Sequence, residues 1–277
     1  MLGADLGADT YLSYVLSKPL LEVWYIFLLG LGRFLPAIAI APFFGGKLLP
    51  DAVKVGFGIA LTFIFLPYLI VQVKVPLTLD IQFMLLEVKE VIIGAVLGIF
   101  VAVPFYYAQG AGATIDHQRG AQSLQVMDPA TQMRTSPTGT LYNDMMLVFF
   151  FFIGGPILFF EAFLTSYNVL PADQFIPASF FDSGSLFWMA IITMLNKIVT
   201  ISLQLAAPSL IAMLLSDLFV GIANRMAPQV QISFLLWSMK AFLGVAIIWA
   251  GWWLVLKQIE FQADSWLKYF QKIVSGL

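Results

Sequence analysis

Apolar residues along this chain fall into long blocks, several of them near the 20 or so residues a helix needs to cross a bilayer. Residues 20–44 form the first and contain Arg33 and Pro36; residues 53–73 form the second. Residues 91–108 form the third, with an acidic, amphipathic lead-in from Ile81, and residues 145–167 the fourth. Residues 186–223 suffice for two spans or for one long helix bent at Pro208, and residues 232–256 close the series. The tail 257–277 sets Ile259, Trp266, Phe270 and Ile273 among lysines and acids at helical spacing. That pattern predicts a helix lying on a membrane surface or in a partner's groove. With no internal repeat and no linker, the pattern predicts one all-α, integral-membrane-type unit spanning residues 1–277.

One segment interrupts the oil. Residues 109–144 read QGAGATIDHQRGAQSLQVMDPATQMRTSPTGTLYND, and they hold the only histidine, His117, together with Arg119 and Arg134. The glycine-rich half predicts a loop at 109–122, in which Asp116 and Arg119 are spaced to pair across one turn where the segment is helical. Further on, Asp128 is a candidate N-cap with Pro129 at the first helical position. A second polar connection holds Asn224, Arg225, Pro228, Gln229 and Gln231, and is followed by Lys240.

Composition narrows the function classes. The 277 residues are 60% hydrophobic and 11% charged, which excludes an ordinary soluble domain. A formal net charge of −2 leaves no basic footprint, so no nucleic-acid partner is expected. Cysteine is absent, which removes disulfides, thiolate metal sites and cysteine nucleophiles. P-loop, HExxH and GxSxG patterns are missing, and His117 has no serine nucleophile in a recognisable motif. The expectation is therefore no enzyme, no metal and no cofactor. The first residues lack the basic start of a secretory signal, so insertion is expected to rely on internal segments. For six spans, lysines and arginines divide six to five between the two sides, and orientation stays open.

Ionisable residues inside apolar blocks cost several kcal/mol unless paired or hydrated. Arg33, Glu87, Lys89, Glu90, Glu161, Lys197, Asp217 and Lys240 are of this kind. They read either as helix-to-helix pairs or as a polar route for ions. Gly94 and Gly98 form a GxxxG pair that lets helix backbones approach. Prolines at 36, 42, 104, 156 and 208 predict kinked or broken helices that need neighbours to satisfy freed carbonyls.

The segments APFFGGKLLPDAVKVGFGIAL, EVIIGAVLG, IDHQRGAQSLQVMDPA and ANRMAPQVQISF, followed by Met239 and Lys240, together resemble the FliR/SctT family. These are the T-type components of the type III secretion export apparatus. The resemblance covers about residues 20–256, and the form Asp116 to Gly120 is more similar to injectisome members than to flagellar ones. Gln231 departs from the family, which often carries asparagine there.

The resemblance implies kinked helical hairpins packed in a helical hetero-oligomeric export gate, in the bacterial inner membrane at the core of the secretion basal body. It implies R-type and S-type subunits as partners, with the U-type switch protein and the large export-gate ring protein nearby, and secreted unfolded proteins as cargo. Residues 109–122 match the family's pore-plug loop, which makes Gly110, Gly112, Asp116, Arg119 and Gly120 the candidate gating residues. Arg33, Glu90, Arg225, Pro228, Gln229 and Lys240 are expected to serve as structural or inter-subunit polar residues. The rival readings are a small-molecule or ion permease using Arg33, Glu90 and Lys240, and an intramembrane enzyme built on Asp116 and His117.

Overall fold

The computed structural model of the chain describes residues 17–46, 49–120, 136–177, 180, 185–226 and 233–276. Among the described residues every regular element is a helix: α1 (Leu20–Ile40), a 3-10 turn (Pro42–Phe44), α2 (Asp51–Gln72), α3 (Ile81–Gln118), α4 (Pro137–Phe152), α5 (Gly155–Val169), α6 (Leu186–Met226), α7 (Ser233–Ala250) and α8 (Trp252–Gly276). Four of them are long and apolar enough to cross a membrane, or up to six spans if each bent pair counts as one.

Helix starts follow local chemistry. Pro19 and Pro50 precede α1 and α2, and Glu22 and Asp51 place a carboxylate in the first turn, near the positive end of the helix dipole. Asp80 caps α3 by accepting the Phe83 N–H at 3.1 Å. Ser136 caps α4 by accepting the Gly139 N–H at 2.9 Å, with Pro137 in the first turn, where its missing N–H leaves no bond unmade.

The prolines divide between helix ends and helix interiors: Pro42 opens the 3-10 turn after α1, and Pro156 lies where the fourth block is interrupted, as expected. α1, α2, α3 and α6 run as continuous helices through Pro36, Pro67, Pro104 and Pro208. Each proline removes one backbone bond, and the remaining ladder holds the helix together. The fourth block is interrupted at Gly154, whose φ of 75° is a conformation open mainly to glycine, and a further break falls at Gly251. Pro156 sits in the first turn of α5. Residues 186–226 form one helix rather than two, and the block 232–256 is divided between α7 and α8.

The chain divides into two compact units. The first comprises Met1–Ala102, Pro156–Ala190 and Tyr269–Leu277. Ile26, Leu29, Phe34, Ala37 and Ile38 of α1 are buried in it, with Leu69 and Ile70 of α2 and Phe159, Phe163 and Tyr167 of α5. The Phe34 ring lies 4.2 Å from Phe163 and 5.7 Å from Phe65, centroid to centroid. The GxxxG pair works as its spacing implies. A Cβ on Gly94 would run into the carbonyl oxygen of Arg33, and one on Gly98 would come within 3.0 Å of the Ala37 carbonyl oxygen and the Ile40 Cβ.

The second unit comprises Val103–Gly155 and Ile191–Lys268. Its core holds Phe105, Tyr107, Ala111 and Ile115 of α3, Tyr142, Met146 and Phe150 of α4, Ile201, Leu205 and Met213 of α6, and Ile259, Ala263 and Trp266 of α8. The expectation that the tail lies on a membrane or in a partner's groove is corrected here. Ile259 and Trp266, and Phe270 and Ile273 within the first unit, are buried by the chain itself. Large exposed apolar residues occur on most of the helices, Trp253, Leu254 and Phe261 of α8 included, and α6 carries many of them. Leu195, Val199, Leu203, Ile211, Leu218 and Ile222 of α6 form an outward row suited to lipid or to another protein.

A branched side chain at Gly94 has to push α3 off α1, at an overpacking cost of about 1–3 kcal/mol or more. We expect Gly94→Val to lower the melting temperature of the purified chain in detergent. Gly56→Ala, where an added Cβ meets nothing within 4 Å, should leave it unchanged or raise it slightly.

Candidate functional site

Two polar clusters are built into the apolar helices, one in each unit. In the first, Arg33 and Glu90 are completely buried and form a two-pronged ion pair, Nε to Oε2 at 2.5 Å and Nη2 to Oε1 at 2.8 Å. The remaining guanidinium donors reach Ser166 Oγ and the Leu170 carbonyl, each at 2.8 Å, and the Tyr167 ring lies 3.8 Å below. Lys89 Nζ is 2.7 Å from Glu90 and also donates to the carbonyls of Pro171, Ala172 and Gln174 at 2.7, 3.1 and 2.9 Å. Asp173 closes the turn by accepting the N–H groups of Lys74 and Val75 at 2.8 and 3.0 Å. Glu90 thus pairs with a basic group on a neighbouring helix, as expected, and the two cations also pin the backbone that follows α5. A pair so fully bonded is scaffold chemistry.

The second cluster corrects the loop expected at 109–122. α3 continues through the glycines to Gln118, so Gly110, Gly112, Asp116 and His117 are helical and Arg119 follows directly. Asp116 and Arg119 pair across one turn, Oδ1 to Nη2 at 2.5 Å, both largely buried. Asp116 collects more than its partner. It accepts the Thr138 N–H at 2.9 Å, the Thr138 hydroxyl at 2.6 Å and the Ser136 hydroxyl. These groups form the first turn of α4, so the carboxylate sits where free N–H groups and the helix dipole favour an anion. Arg119 Nη2 also reaches Thr138 Oγ1 at 3.3 Å.

The glycines divide by role. A Cβ on Gly112 would overlap the backbone of Thr138 and Gly139, and one on Gly139 would stand 2.9 Å from the Gln109 carbonyl oxygen. α3 and α4 are therefore in backbone contact one turn before Asp116. Gly110 faces α6, where a Cβ would come 2.9 Å from Ser202 Oγ. Gly120 instead ends the helix, with φ of 77° and its N–H on the His117 carbonyl at 3.1 Å.

Lys240 Nζ lies 2.5 Å from Asp217 Oδ1, joining α7 to α6. Arg225 and His117 are exposed. Pro228 and Gln229, like Asp128, Pro129 and Arg134, lie outside the described residues. Among the described residues no three His, Cys, Asp or Glu side chains gather as metal ligands would. Ser136 and Thr138 are the functional partners that sequence reasoning missed. Their signal was present in Ser136-Pro137, a serine before proline at the start of an apolar run.

Removing the Asp116 carboxylate strands Arg119 and leaves the Thr138 N–H and hydroxyl without their acceptor, so Asp116→Ala should destabilise the purified chain by about 3–5 kcal/mol. Asp116→Asn keeps acceptor capacity and should lose less; melting in detergent compares the two, and equal stability of all three proteins would refute the clamp.

The family model described as Bacterial export proteins, family 1, matches residues 24–265. "Surface presentation of antigens protein SpaR" of Shigella flexneri is 32% identical over 160 residues, 58% of this chain and 59% of that protein. "Yop proteins translocation protein T" of Yersinia pestis is 30% identical over 228 residues, 82% of this chain and 84% of that protein. "Flagellar biosynthetic protein FliR" of Bacillus subtilis is 27% identical over 213 residues, 77% of this chain and 80% of that protein. The match thus spans 59% of the length of SpaR and most of the length of the other two. With a family match across most of its length and several helices fit to cross a bilayer, the chain is a membrane protein belonging to Bacterial export proteins, family 1, the FliR/SctT family, and it leans toward the injectisome-type members.

Proposed function

We propose that the chain is the non-enzymatic T-type subunit of a type III secretion export gate in the bacterial inner membrane, at the core of the basal body. With R-type and S-type subunits it forms the channel through which unfolded proteins are exported, and the U-type switch protein and the large export-gate ring protein are its further neighbours. Family membership across 24–265 carries the assignment to secretion. The relatives' names, a translocation protein and a secretion system apparatus protein among them, support the same system.

What supports a gating role is the Asp116 clamp. In this reading the gate element is the end of α3, with Gly110, Gly112, Asp116, Arg119 and Gly120 as its working residues. A helix end held by a buried carboxylate has two discrete arrangements, latched to α4 or released from it, and little between them. Release exposes Asp116 and Arg119 together, so the pair leaves its burial without stranding a charge. Glycines 110 and 112 let the closed arrangement pack without side chains in the way.

The reading is tested in the natural assembly. Arg119→Ala removes the cation, and Gly112→Val forces α3 and α4 apart. Both are expected to change protein export or the ion tightness of the membrane while complex assembly persists. Normal export and normal tightness in both variants would sink the gate assignment. Separately, the chain should co-purify with small, apolar R-type and S-type partners; a monodisperse monomer would return the argument to a permease.

A further inference from the structure

Resting on that reading, we propose that Asp217 and Lys240 form a second latch on the end of α3, acting as positioning residues for the gate element. All the observations lie within the second unit. The Asp217–Lys240 bridge ties α6 to α7 through one carboxylate oxygen, Oδ1. The other oxygen, Oδ2, faces Gln118, the last residue of α3, whose amide Nε2 stands 3.5 Å away. The next residue, Arg119, lies against α7, where a Cβ on Gly244 would come 3.3 Å from Arg119 Cδ and 3.7 Å from its Cβ.

Lys240 and Gly244 are four residues apart, so they share one face of α7. That face meets the end of α3 at two levels. Gly244 receives the stem of Arg119, and Lys240 holds the carboxylate that Gln118 approaches. Arg119 Nε is buried without an acceptor among the described residues, so packing on Gly244, the ion pair with Asp116 and the contact with Thr138 Oγ1 are what position the guanidinium. The last turn of α3 and the residue that follows it are in this way held by different elements. Asp116 fastens the helix end to α4, and the Asp217–Lys240 bridge with Gly244 fastens it to α6 and α7.

The two latches differ in the burial of the carboxylate. Asp217 keeps 32% of its side-chain surface exposed against 6% for Asp116, whereas Lys240 and Arg119 are alike at 15% and 14%. A bridge whose carboxylate is partly exposed contributes less to global stability than a fully buried one. Its effect is therefore to be sought in the position of α3, separately from the fold.

The test uses the assembled complex in its native membrane, with potassium leak as the readout and the amount of complex measured in parallel. Asp217→Lys and Lys240→Asp, each alone, should raise the leak about fivefold or more. The double exchange, which restores an opposite-charge pair, should bring it back to within about twofold of the unsubstituted complex. Gln118→Leu, which reverses no charge, should raise the leak by a smaller amount. Single variants that assemble and stay tight while Arg119→Ala leaks would overturn the second latch alone. So would a double exchange as leaky as the single variants. If charge reversal prevents assembly, Lys240→Gln and Gln118→Leu decide, and unchanged leak in both overturns the proposal. Tightness in Arg119→Ala and Gly112→Val as well would mean that the gate reading itself had failed.

Discussion

A carboxylate buried among apolar helices must draw donors from other segments of the chain, and that requirement shapes both units. Glu90 takes Arg33 from α1 and Lys89 from its own helix, and the same two cations then fix the backbone from Leu170 to Gln174. Asp116 takes Arg119 from the next turn, which leaves most of its acceptor capacity unused; the first turn of α4 supplies the rest. Leaving either carboxylate unpaired costs several kcal/mol, far more than a small adjustment of a helix axis. Helix positions therefore follow the charges.

Such pairing needs backbones closer than ordinary side chains allow, and the spacing on α3 provides for it twice. Gly94 and Gly98 follow Glu90 by one and two turns on the same face, and that face lies against α1 beside Arg33. Gly112 precedes Asp116 by one turn, and that face lies against Thr138 and Gly139 of α4. In each case the glycine brings the neighbouring backbone near and the carboxylate one turn away bonds to it. A glycine inside a helix costs about 1 kcal/mol relative to alanine. Close packing and a satisfied ion pair offset that cost here.

This arrangement explains what could be read in the sequence. The apolar blocks, the GxxxG contact and the Asp116–Arg119 spacing are local periodicities, and all three are present in the structure. The helical state of residues 109–118 was not legible, because QGAGAT has the composition of a turn and its helix is maintained by contacts with residues far along the chain. Packing against Gly139 and Ser202 overrides propensity there. The break at residues 154–156 was legible, but Pro36, Pro104 and Pro208 leave their helices continuous, because a proline removes one bond of the ladder whereas the positive φ at Gly154 ends it. The Asp217–Lys240 bridge joins two different helices, and no local periodicity links the two positions, so no spacing rule announces it.

That the glycine-rich segment is helical changes the mechanics of any gate built from it. A loop can rearrange residue by residue, whereas the end of a 38-residue helix carries its last turns as one body until Gly120 releases the chain. Movement of that end has to break contacts with α4, α6 and α7 in some order. The contacts of the partly exposed Asp217 carboxylate lose less on release, and the buried Asp116 cluster loses most. Release is therefore expected to begin on the α6–α7 side and to finish at α4, with Asp116 as the last contact broken on opening and its burial as the step that commits the helix end to closure.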